Sequence, residues 1–140
     1  MQRFRFEKLN VWQSARALNR DVYRSTKLFP TSEQFALTSQ LRRSSISISS
    51  NIAEGAGRNS DRDFAHFLEQ AFASAMELAS QVFLALDETY LTKDESEKLL
   101  DEIQRLSAQI AALNRSLNVA KSKVVLPKGG SDATRRTTAT

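Results

Sequence analysis

The chain contains no cysteine. That excludes disulfides, thiolate nucleophiles, cysteine-ligated zinc and iron–sulfur clusters. Its single histidine, His66, leaves almost no room for histidine-based metal sites and one candidate for a catalytic triad. Four glycines and two prolines in 140 residues argue against a sandwich or barrel of many short strands, which needs turn-formers at regular intervals. No stretch approaches the ~20 apolar residues that span a bilayer. The opening MQRFRFEKL also lacks the apolar core of a secretion signal. The expectation is a cytoplasmic protein with no membrane partner. What is present, 41% hydrophobic and 26% charged residues, is the balance of one soluble globular domain able to bury a core.

Charge is unevenly placed. Residues 1–62 hold 11 Lys/Arg against 5 Asp/Glu, residues 63–118 hold 4 against 10, and residues 119–140 hold 5 against 1. A basic first half and a basic tail fit contact with a nucleic acid. Opposite halves could equally attract each other within the fold or between subunits.

Apolar periodicity predicts four helices, at about 10–28, 32–54, 61–89 and 93–118. In the first, Val11, Ala15, Leu18 and Val22 share a face, and Pro30 ends the segment by pushing its predecessor out of the α region. Thr31 with Gln34 reads as a capping box opening the second, which Leu37, Leu41, Ser45, Ile48 and Ile52 continue in phase. Gly55 and Gly57 are expected to close it in the left-handed cap conformation. The run Ser44 to Ser50 alternates like a strand, but its apolar phase stays helical, and a lone strand would leave its backbone unpaired. Ser60 with Asp63 opens the third helix, which carries two apolar stripes. One holds Phe64, Leu68, Ala71, Ala75, Leu78, Val82 and Ala85, and the other Phe67, Phe72, Met76, Ala79, Phe83 and Leu86. Thr92 with Glu95 caps the fourth, whose Leu99, Ile103, Leu106, Ile110, Leu113 and Leu117 form a near-heptad seam. After Asn118 the period stops, and residues 119–140 are expected to be a disordered basic tail. The fold class is all-α, an antiparallel up-down four-helix bundle over residues 1–118.

The run from Gln40 to Arg58, QLRRSSISISSNIAEGAGR, resembles the signature of the four-helix-bundle proteins encoded in intervening sequences of bacterial 23S rRNA genes. Leu9 to Gln13, Phe29-Pro30 and Phe64 through Glu77 resemble flanking features of that family, so the likeness spans roughly residues 4–118. It implies a bundle often assembled as a homopentamer, with no known enzyme activity. A related branch serves as accessory protein of diversity-generating retroelements, where a basic pentamer engages a reverse transcriptase and nucleic acid.

Within the motif, the small side chains of Ser44, Ser45, Ser47, Ser49, Ser50 and Ala53 favour close helix approach. Asn51, Glu54 and Gly55 are the structural-motif candidates. Glu54 faces the negative end of its helix and needs a partner such as Arg58. Arg16, Arg20, Arg24 and Lys27 recur at spacings of 4, 4 and 3 as a basic stripe, extended by Arg42 and Arg43, and are the nucleic-acid-binding candidates. Ion pairing with Asp94, Glu95, Glu97, Asp101 and Glu102 is the structural alternative. No aromatic platform interleaves with these cations in the sequence, so phosphate contacts with little sequence specificity are expected. Asp63 and His66 match half of a di-iron motif, but the second Glu-x-x-His is missing. No G-x-S-x-G or phosphate-binding loop occurs, so no catalytic residue, metal or cofactor is assigned.

The resulting expectation is a non-enzymatic oligomeric bundle that binds RNA or a nucleoprotein complex. The alternative is a structural or protein-partner scaffold, including an accessory subunit of a reverse transcriptase. Surplus apolar residues such as Phe67, Phe72 and Phe83 predict a cyclic homo-oligomer, most simply the pentamer that the resemblance implies.

Overall fold

A computed structural model describes the backbone of residues 2–125 and the side chains of residues 2–118. It contains α1 (Asn10–Thr26), α2 (Leu37–Ala56), α3 (Asp61–Asp87) and α4 (Lys93–Val125), with short 3-10 turns at Arg5–Lys8 and Thr31–Glu33. Each helix packs on its neighbours in the chain, and α1 closes the square against α4, with no diagonal pair in contact among the described residues. This is the up-down bundle that the four periodic segments predict. The predicted seams are its core: Leu18, Val22, Leu41, Ile48, Ile52, Leu68, Leu78, Val82, Ile103, Leu106 and Ile110 are buried. The serine-rich run is helical, with Ser44 and Ser45 buried inside it.

Two of the three predicted N-caps form as read. Ser60 Oγ accepts from the Asp63 amide at 3.1 Å. Thr92 and Glu95 cap reciprocally at 3.1 and 2.8 Å. The second helix corrects the sequence reading. Thr31 opens only a 3-10 turn, and α2 begins at Leu37. The cap comes instead from Glu33, whose carboxylate accepts from the Leu37 amide at 3.2 Å and from the Tyr90 hydroxyl at 3.0 Å. That tie to the loop before α4 is long-range and invisible to a local pattern.

The other ends also shift. α1 stops at Thr26 and α3 at Asp87. α4 continues to Val125, past the boundary at Asn118, and Leu117 is partly buried against the core. Residues 126–140 of the predicted tail lie outside the described residues. No glycine among the described residues takes a positive φ, so neither Gly55 nor Gly57 is a left-handed cap. The residue that takes it is Thr89, at φ 63°. The Tyr90 amide donates to the Ala85 carbonyl and the Thr89 amide to that of Leu86, both at 2.9 Å. Those two bonds define a Schellman end to α3.

Gly55 lies buried inside α2 for a different reason. A Cβ there would stand 2.8 Å from both Phe64 Cδ1 and Phe67 Cβ. Glycine is therefore required by the closeness of α2 to α3, not by backbone twist. Farther along the same seam the Ser47 and Ser74 hydroxyls meet at 2.8 Å, near the small, buried Ala71 and Ala75 of α3.

Candidate nucleic-acid interface

With Val11, Ala15, Leu18 and Val22 turned into the core, a helix of 3.6 residues per turn puts Arg16, Arg20, Arg24 and Lys27 on the outer side of α1. All four are exposed. Arg24 Nη1 bonds Asp21 Oδ1 at 2.8 Å, an exposed pair that contributes little to stability. The Arg16 guanidinium lies over the Trp12 ring, 5.5 Å from its centroid.

Arg42 and Arg43, adjacent in sequence, part company. Arg42 is half-buried and crosses to α1, where its Nε donates to Thr26 Oγ1 at 2.9 Å and its guanidinium covers the Tyr23 ring at 4.5 Å. Thr26 in turn donates to the Val22 carbonyl at 2.8 Å, so Arg42 is held by a chain of bonds against α1. Arg43 turns the other way, to Gln40 and to Glu77 on α3. Five of the six basic candidates therefore share the α1 surface, and Arg43 stands apart in an interhelical ion pair.

Of the structural-motif candidates, Gly55 lies at the α2–α3 seam, while Asn51 and Glu54 bond within α2 and its exit. Asn51 Nδ2 donates to the Ser47 carbonyl at 2.8 Å. Glu54 pairs loosely with Arg58 at 3.7 Å, and Arg58 covers the Phe67 ring at 4.7 Å. His66 is exposed and bonds Gln70 at 3.1 Å. Among the described residues no group of three or more His, Asp or Glu is arranged to hold a metal ion. None of the described helices is long and apolar enough to cross a membrane.

On its other flank α1 meets acidic α4 across a groove of about 600 Å³, lined in part by Asp21, Arg24, Lys98, Asp101, Glu102 and Arg105. Burial, followed by a hydrogen bond to Asp21 and its charge, raises the Glu102 carboxyl to about 7 against the opposing pull of Arg105 and Arg24. Glu102 thus keeps its proton to near neutrality on the side of the seam that faces Asp21. Part of the acidic surface weighed as a counter-face to the stripe does border Arg24, while Arg16, Arg20 and Lys27 face outward.

Two features escaped the sequence reading. Phe4, Phe6 and Trp12 form an aromatic column, with ring centroids 5.7 Å and then 4.7 Å apart. The Phe4-x-Phe6 spacing and the four-residue step from Trp12 to Arg16 were the available signals. The second apolar stripe of α3 also divides: Phe67 is half-buried against α2, whereas Phe72, Met76 and Phe83 are exposed. On α2 and the turn before it, Ile46 and Phe35 are exposed as well.

A small all-α bundle with a basic outer helix is the class these features define. The family described as 23S rRNA-intervening sequence protein matches residues 7–112, and the chain belongs to that family. A crystal structure of a protein of unknown function from the S23 ribosomal protein family of Bacteroides thetaiotaomicron has the same fold, with a TM-score of 0.68. Its sequence is 23% identical, over 74% of this chain and 97% of that one. No curated protein matches the chain.

Proposed function

We propose that this protein is a non-enzymatic cytoplasmic bundle that binds RNA through the outer face of α1. The carrying observation is the exposed row Arg16, Arg20, Arg24 and Lys27, with Arg42 fixed beside it. Four cations on the outer side of α1, with Arg42 of α2 beside them, suit a polyanion better than any ion-pair partner among the described residues. Arg24 alone among them has a salt bridge within that set. The family description, which concerns 23S rRNA intervening sequences, makes RNA the first polyanion to try. Contacts of this kind release counterions, so affinity falls with salt at a slope set by the number of phosphates engaged. Titrating a labelled structured RNA at low and moderate salt tests the reading. A steep loss with salt supports it, and no binding at low salt overturns it.

The same proposal includes self-assembly into a closed ring, the pentamer implied by the family resemblance. Its support is the pair of exposed apolar strips, Phe72, Met76 and Phe83 on α3, and Phe35 before α2 with Ile46 midway along it, which line one groove. They lie on different parts of the surface, so a head-to-tail contact could join one to the other and must then close into a ring or grow into a filament, of which the family resemblance favours the ring. A protein-partner scaffold, such as an accessory subunit of a reverse transcriptase, is the second reading and rests on the same strips. Light scattering separates them: a multiple of 15.7 kDa for the isolated chain supports the ring. A monomer leaves the strips to another protein.

A further inference from the structure

The geometry points to a stacking platform for the unpaired base of a single-stranded nucleic acid, formed by the column Phe4–Phe6–Trp12 at the start of α1. This rests on the reading of α1 as a nucleic-acid surface and goes beyond its phosphate contacts.

Phe4 is 59% exposed, an unusual position for a ring that is nevertheless held in place. Its plane lies within 2° of the Phe6 ring, and Phe6 meets Trp12 edge-on at 60°. Trp12 packs against the hydrophobic core, so the column is anchored at its inner end and open at its outer one. The backbone is fixed too. The Glu7 carboxylate accepts from the amides of Arg3 and Phe4 at 2.8 and 2.7 Å, and those bonds hold its pKa below the usual carboxylate range. A ring ordered before its ligand arrives loses little conformational freedom on binding, which favours affinity.

The surroundings choose the ligand. Arg3, Arg5 and Lys8 are exposed and alternate with the column's rings along the chain, Arg16 covers the Trp12 ring, and Arg20 follows one turn on along the outer side of α1. Glu7 is the sole acidic residue of positions 1–20, and its carboxylate is already engaged by two amides. A flat apolar face in a basic, cation-rich stretch of chain fits a partner that carries both π faces and negative charge. Nucleic acid supplies both, and unpaired bases offer free faces along the strand, whereas a duplex hides all but its two end faces by stacking. From Trp12 to Tyr23 the helix advances about 17 Å at 1.5 Å per residue. Along that length Arg16 and Arg42 each cover a ring, at 5.5 and 4.5 Å. A strand seated on Phe4 thus continues onto the basic stripe.

The test compares three labelled probes of equal length: a short oligoadenylate, an abasic phosphodiester with the same charge, and a blunt RNA duplex. The full-length chain should bind the oligoadenylate more tightly than the abasic strand. Phe4→Ala should weaken oligoadenylate binding about tenfold. It should leave the other two probes and the salt slope unchanged, and Phe4→Trp should restore the affinity. Equal binding of oligoadenylate by the wild-type protein and Phe4→Ala overturns the platform while leaving the phosphate reading intact. No binding of any probe by the wild type at low salt overturns both. A fall in oligomer mass in Phe4→Ala, with affinity per subunit unchanged, assigns Phe4 to contact between copies and likewise overturns the platform.

Discussion

Between α2 and α3 the backbones come so close that one added carbon at Gly55 would stand 2.8 Å from Phe64 and Phe67. Between α1 and α4 the chain leaves a groove of about 600 Å³ lined largely by charged side chains. Small residues built the first seam: Ser44, Ala71 and Ala75 are fully buried, and Ser47 meets Ser74 directly. Long polar residues built the second, and its Asp21–Glu102 carboxyl pair opposes closure whenever both groups are charged. The difference assigns cohesion to the middle of the chain and leaves α1 free to present its outer face.

The largest effect that would break this contrast is at Gly55. Gly55→Ala adds helix propensity of up to about 1 kcal/mol, but the clash with Phe64 and Phe67 should outweigh it. A net loss of about 2 kcal/mol in denaturant unfolding is expected, and Gly55→Leu should not fold. A neutral Gly55→Ala would show that the tight seam is not under constraint.

The α1–α4 seam should instead reveal itself through pH. Glu102 holds its proton to about 7 in the folded chain, against an ordinary carboxylate value of 4.5. The folded state therefore binds more protons than the unfolded state between these values. Stability from this group is complete below pH 4.5, falls as pH rises, and is gone above about 7. Because Glu102 is partly solvated, the loss should be only roughly 1–2 kcal/mol. Melting curves of Glu102→Gln should lack this descent, and an identical descent in the variant would move the titration elsewhere.

The smallest effect serves as a control outside both seams. Thr89 occupies the left-handed region, φ 63°, at the end of α3. Glycine relieves that strain, so Thr89→Gly should raise stability by about 1 kcal/mol, read as a higher Tm at unchanged pH dependence. A lower Tm would show that the Thr89 side chain holds the turn by contacts that glycine removes.

What the sequence could disclose divides along similar lines. The apolar seams of all four helices and the caps at Ser60 and Thr92 were legible because each is a local pattern a few residues wide. The start of α2 was not, since Glu33 caps it while bonded to Tyr90 far along the chain. Gly55 carried a visible signal but a wrong cause, because a glycine near a helix end reads as a cap until the neighbouring helix is placed. The basic stripe was legible from its spacing. The divergence of Arg42 from Arg43 was not, because adjacent side chains on a helix point about 100° apart and only the neighbours decide what each meets.

That divergence gives the most direct test of the α1 face. The affinity of the full chain for RNA at one low and one moderate salt concentration can be measured for Arg16→Ala/Arg20→Ala/Lys27→Ala and, in parallel, for Arg43→Ala. The account predicts that the triple variant loses most of its affinity with a shallower salt slope, while Arg43→Ala, whose side chain is tied to Glu77, binds as the wild type does. Equal losses in both variants, or none in either, would contradict the assignment of binding to the outer face of α1.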